Sequence, residues 1–180
     1  MTDPTLQIYL PAFMLVVTCL IVFWNRFRKT SKLTETLPTT KKIAEYNRLK
    51  KGSGHFWLIF SVFGVMIIIY SVIPEFYFLF VPLDIFHHPL INLVGLLIVK
   101  IAIIWIVVAQ IHIDKELFKY SINFEKLSGM QLIRYSEKML ITGMLILFIG
   151  VFTTITNIIG LLLVSMSSVV YLKTFFSKTV

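Results

Sequence analysis

Charge is scarce in this sequence, and acidic charge is scarcest. Only 14% of the 180 residues are charged, with 9 Asp and Glu against 17 Lys and Arg. Soluble domains carry about 25% charged and about 45–50% apolar residues. Here 57% of the chain is hydrophobic and the mean hydropathy is +0.86. That balance excludes an ordinary soluble globule and a disordered chain. A single cysteine, Cys19, excludes an intrachain disulfide and with it a disulfide scaffold. Gly-rich phosphate loops, His-Glu-x-x-His and Cys-x-x-Cys are all missing, so soluble-type catalysis has no motif to rest on. The N-terminal Met-Thr-Asp-Pro-Thr is acidic. It lacks the basic start of a secretory signal peptide, so the first apolar run is expected to be retained.

Long apolar runs are what the sequence does have. A bilayer core about 30 Å thick needs about 20 apolar helical residues. Runs at 6–24, 56–74 and 90–113 meet that length, the third interrupted only by Lys100. A further stretch, 139–172, carries no charge over 34 residues. As one helix it would be about 50 Å long, too long for a single crossing. Thr153-Thr154-Ile155-Thr156-Asn157 offers polar turn chemistry in its middle. The reading is therefore an all-α integral membrane protein, one domain over 1–180. Five spans are expected at 6–24, 56–74, 90–113, 139–153 and 157–172, the last two forming a tight hairpin.

The basic residues set the orientation. Every one of the 17 except Lys100 falls in 25–54, in 114–138 or after the last span. Cytoplasmic loops carry such an excess, so the N-terminus is expected outside and the C-terminus inside, in a bacterial inner membrane. The net charge of +8 is then topology and attraction to anionic lipid. No aromatic stacking platform or base-reading motif accompanies it, which argues against nucleic acid. In the inner loop 25–54, Leu37-Pro38-Thr39-Thr40 could open a short helix, and 50–54 reads as a turn. The outer connection, 74–89, is rich in aromatics and is expected to lie along the outer headgroups.

Two sets of histidines could bind something. Asp84, His87 and His88 have i,i+3 and i,i+4 spacing, which could put them on one helical face around a metal. Flanking prolines make that helix doubtful, and no second ligand cluster accompanies it. No metal site is assigned. His55 and His112 fall near the inner face on neighbouring spans and could clamp a haem as axial ligands. Lys100 is the sharper feature. It lies about ten residues from either end of its span, where a charge costs at least about 2.5–3.5 kcal/mol, so it is a functional hypothesis by default. It is expected to face the bundle interior or a water-filled cavity, and structural accommodation, favoured over a substrate role because no second intramembrane charge could serve a relay, is the other reading.

The third span ends Trp105-Ile106-Val107-Val108-Ala109-Gln110. A polar inner stretch follows, then Gly129-Met130-Gln131-Leu132-Ile133-Arg134, Gly143 and an apolar hairpin. This order resembles small bacterial membrane proteins of the isoprenylcysteine carboxyl methyltransferase type, over nearly the whole chain. The resemblance implies S-adenosylmethionine as cofactor, a lipid-like or prenylated methyl acceptor, and Gly129, Arg134 and Gly143 at the cofactor site. The family's Gly-Pro-Tyr-like turn reads Gly129-Met130-Gln131 here, and its Arg-His-Pro position reads Arg134-Tyr135-Ser136. The family's Glu-Glu helix and Tyr- and Arg-bearing tail have no counterpart before Val180. Methyl transfer depends on positioning donor and acceptor. The expectation is therefore a non-catalytic relative, with no catalytic residue assigned, serving as a partner or accessory subunit of a membrane assembly. An active S-adenosylmethionine-dependent methyltransferase and a haem- or quinone-binding anchor subunit stand as alternatives.

Overall fold

A computed structural model describes residues 4–27, 41–83, 88–122 and 128–176, with side chains over 6–20, 54–83, 88–112 and 138–175. Helix α1 runs Pro4–Phe27, α2 Lys41–Val72, α3 Pro89–Ile122, α4 Ser128–Ile155 and α5 Ile158–Phe176. A 3₁₀ helix, Pro74–Phe80, follows α2. Four helices are long and apolar enough to cross a bilayer, over Gly54–Val72, Pro89–His112, Lys138–Ile155 and Ile158–Phe175. The chain is thus a polytopic helical membrane protein. The apolar part of α1, Leu6–Leu20, is shorter. The helix start expected at 37–40 and the stretch 84–87 lie outside the described residues.

The ends of these helices follow from local chemistry. Pro74 cannot continue α2 because it lacks an N–H. Pro89 sits at the first position of α3, where its missing donor costs nothing. His88 precedes it, and its backbone carbonyl accepts from the N–H groups of Ile91 (2.9 Å) and Asn92 (3.1 Å). Asn157 starts α5, its side-chain oxygen accepting from the Gly160 N–H at 2.5 Å. That is the N-cap geometry that satisfies an orphan donor. The expected hairpin is present, with Thr156-Asn157 as its turn. The turn expected at 50–54 is instead part of α2. Each residue added to a running helix gains a hydrogen bond, and Gly52 and Gly54 cost only about 1 kcal/mol each against it.

Helix α4 is the centre of the bundle. It packs along nearly all of α3 and also against α2 and α5, while α1 packs mainly on α2. Phe148 of α4 stacks between Phe56 and Phe63 of α2, at 5.8 and 5.1 Å between ring centroids. Leu6, Leu10, Met14 and Val17 form the buried line of α1, at the i, i+4 and i+3 spacing of one helical face.

The α3–α4 contact brings backbone against backbone. A Cβ on Gly95 would lie 2.7 Å from the Thr154 nitrogen, and one on Gly150 would lie 2.9 Å from the Val99 nitrogen. Gly95, Ala102 and Ala109 recur at seven residues on α3, as do Gly143 and Gly150 on α4. Small residues let helices approach closely inside a bilayer, and a seven-residue period keeps one seam facing its partner. Gly160, Ser167 and Thr174 repeat the pattern as the buried line of α5.

Candidate functional site

Polar groups inside an apolar bundle are the natural place to look for function; among the described residues Ser71 Oγ, Asn92 Oδ1 and Thr156 Oγ1 are buried without a hydrogen-bond partner, while many other polar groups of the helices are satisfied by structure. The hydroxyls of Thr18, Ser61, Thr142, Thr153, Thr154, Ser165, Ser168 and Thr174 each donate to the carbonyl four residues back. Such back-bonding lets Ser and Thr sit in apolar helices. At the outer end, Tyr77 is buried and donates to the Ile155 carbonyl. Asn157 donates to the Tyr77 oxygen at 3.0 Å and to the Met66 sulfur at 3.3 Å. The Leu83 N–H donates to the Thr156 carbonyl at 3.0 Å, and the Ile158 N–H to the Val81 carbonyl at 3.1 Å. The outer aromatic segment is therefore welded onto the hairpin turn. Phe76, Phe78 and Leu79 remain exposed, so the segment is also able to meet the headgroup region expected from its sequence.

The described histidines, His55, His88 and His112, fall on the exterior. His88 is exposed, and its Nδ1 accepts from the Leu90 N–H at 3.3 Å, a capping role at the start of α3. His55 and His112 are both exposed. His55 lies on the outward stripe of α2 with Leu58, Val62 and Val65. Helix α3 packs mainly on α4, and α2 packs on α1, α4 and α5 rather than on α3. Among the described residues no three His, Cys, Asp or Glu side chains could hold a metal ion.

The residues carried over by resemblance lie along one helix. Gly129 and Arg134 belong to the first turns of α4; the Arg134 side chain is outside the described residues. Gly143 follows Gly129 about 21 Å further along the same axis at 1.5 Å per residue. It is buried against α3, where a Cβ would lie 2.9 Å from Ile106 Cγ1 and 3.1 Å from Trp105 Cδ1. The Trp105 indole N–H bridges the same contact, donating to the Met139 carbonyl at 3.1 Å. In this geometry Gly143 works as a close-packing position.

Lys100 is different from all of these. It is exposed, on the side of α3 turned away from the α4 seam, which is lined by Val99, Ala102 and Ile106. Around it lie Leu93, Leu97, Ile101, Ile104 and Val108, between 39% and 65% exposed. Within the span Pro89–His112, its Cα stands about 16 Å from one end and about 18 Å from the other at 1.5 Å per residue. Among the described residues no acceptor or carboxylate meets it. The sequence marks the charge and its depth, but the interior or cavity position expected for it is corrected by the fold, because the small residues of α3 take the α4 seam and leave Lys100 on the outward side.

No protein-family model matches the chain, and no curated protein or solved structure matches it either.

Proposed function

We propose that this protein is a non-catalytic membrane subunit, built on an isoprenylcysteine methyltransferase-like scaffold, that acts as a partner or accessory component of a membrane assembly. One observation carries the reading. A lone cation stands at mid-depth on the outside of the bundle, on an otherwise apolar helix face. A charge in hydrocarbon is unfavourable by at least about 2.5–3.5 kcal/mol and normally faces a bundle interior or a water-filled cavity. A bundle that turns such a group outward is complete only when another molecule covers it. The buried hydroxyls of Thr154 and Tyr77 and the Asn157 side chain support the same reading, because a helix back-bond, an N-cap and the link to the hairpin turn occupy them. We also infer five spans, with α1 as the first and the C-terminus cytoplasmic, in a bacterial inner membrane.

The test is purification of the full chain from native membranes in mild detergent. A stoichiometric partner protein is expected. Titration with S-adenosylmethionine is expected to give no saturable heat. Specific binding in the range of an enzyme would replace this proposal with the methyltransferase, and a Soret band would replace it with the haem anchor.

A further inference from the structure

The apolar exterior by itself needs no explanation in a bilayer. Helix α2 shows Leu58, Val65 and Ile68 outward, and α5 shows Leu162, Met166 and Val169. Hydrocarbon chains satisfy both. Within the apolar span Pro89–His112 the exterior of α3 has the same character with one charged addition, Lys100.

Its side chain can reach water only by snorkelling, and four methylenes extend about 6 Å. From mid-depth that leaves roughly 10 Å of a hydrocarbon core about 30 Å thick still uncrossed. The apolar runs of the chain offer the ammonium no carboxylate. None of the chain's 9 acidic residues falls in any apolar run of the sequence. A second copy offers none either. A two-fold interface presents the same patch from both subunits, so it would bring one Lys100 towards another with no carboxylate between them.

The surrounding residues show what shape of partner fits. Leu97, Ile101, Ile104, Val108 and Ile111 are all exposed and alternate by four and three residues. That is the spacing of a seam that accepts another helix at a shallow crossing angle. Lys100 follows Leu97 by three residues and precedes Ile104 by four. Residues at those separations are neighbours on a helix surface, so the ammonium stem rises beside the seam.

We infer that the outward face of α3 docks a transmembrane helix of another protein, and that this helix carries an Asp or Glu at mid-depth whose carboxylate pairs with Lys100. The inference rests on the accessory-subunit reading and names the surface and the chemistry of its partner. Leu97, Ile101, Ile104 and Val108 supply the packing seam, and Lys100 supplies register and selectivity. A helix without the carboxylate leaves the ammonium uncompensated, so pairing discriminates against it.

The experiment is photo-crosslinking in native membranes. The full chain carries p-benzoylphenylalanine in place of Leu97 or Ile104 on α3, or of Leu162 on α5 as a comparison. Adducts are expected from the two α3 positions and not from α5, and the adducted segment should contain a membrane-embedded Asp or Glu. Lys100→Met should reduce the adduct at least tenfold, while Lys100→Arg keeps at least half of it. Combining Lys100→Met with leucine in place of the partner's carboxyl residue should recover most of the loss, because no charge is then left unpaired. Lipid adducts alone, a segment without an acid, or an unchanged adduct in Lys100→Met would each overturn the inference. If a stoichiometric partner copurifies but crosslinks only from α5, this docking surface is wrong and the accessory reading stands. If no partner copurifies, both fall.

Discussion

Asn157 does several jobs with one small side chain. Its oxygen caps α5 through the Gly160 N–H, and its amide nitrogen donates to Tyr77 and Met66. Removing an N-cap costs about 1 kcal/mol, and leaving a buried hydroxyl or carbonyl short of a partner adds about 1–3 kcal/mol. Asn157→Ala should therefore lower stability by about 2–3 kcal/mol, read from thermal unfolding in detergent. Tyr77→Phe strips the Ile155 carbonyl of its donor and should lose about 1–2 kcal/mol. The two residues share a hydrogen bond, so the double variant should lose less than the sum of the single losses. Additive losses would show that the outer weld is not one network. Val81, in the same weld, has φ of 52°, a left-handed backbone that a β-branched residue adopts only under strain. Val81→Gly should raise stability by about 1 kcal/mol; a loss in the same unfolding assay would show that the Val81 side chain contributes more than its backbone costs.

Among the helices, the tightest contact is made by the smallest residues. Gly150 meets the backbone of Val99, and no flexible side chain there can give way. Gly150→Val should cost about 1–3 kcal/mol or more through overpacking. The same change at Gly64, where a Cβ meets nothing within 4 Å, should stay within about 1 kcal/mol. Lys100 belongs to the opposite side of α3. Its side chain is exposed and turned away from the α4 seam, so Lys100→Leu should leave the unfolding temperature of the isolated protein unchanged or higher. A marked destabilisation would mean that Lys100 holds the bundle together from within, and would remove the support for a docking role. The seven-residue recurrence of Gly95, Ala102 and Ala109, and of Gly143 and Gly150, is written in the sequence. It marks the α3–α4 seam only once an antiparallel partner is supplied, because small residues in an apolar run have no face of their own to announce.

For the whole molecule, the distribution of basic residues is the ground for the proposed topology, with the N-terminus outside and the C-terminus inside. A cysteine-reactive, membrane-impermeant label applied to intact cells should modify a cysteine placed near the N-terminus, in a background with Cys19→Ser, and should miss one placed after Phe176. Labelling of both, or of the second alone, would rule out an odd number of spans with the N-terminus outside. The result also decides whether α1, whose apolar part Leu6–Leu20 is short, crosses the bilayer with the other four.

The amino-acid sequence by itself determined the solvent of this protein and the elements that suit it. Long uncharged runs demand helices in a bilayer, because backbone groups there must be satisfied within the element. Proline and asparagine set helix ends at Pro74, Pro89 and Asn157, and those limits are local chemistry. The depth of Lys100 was legible for the same reason, since depth is a count of residues along one helix. Tertiary structure decided the direction in which each side chain points. In apolar helices the lipid-facing and core-facing sides are built from the same residue types, so the pattern in sequence carries little sign of which is which. That is why Tyr77 among its phenylalanines could be read as an interfacial ring although it is a buried link to the hairpin turn. For the same reason only the packing of α3 against α4 could turn Lys100 outward.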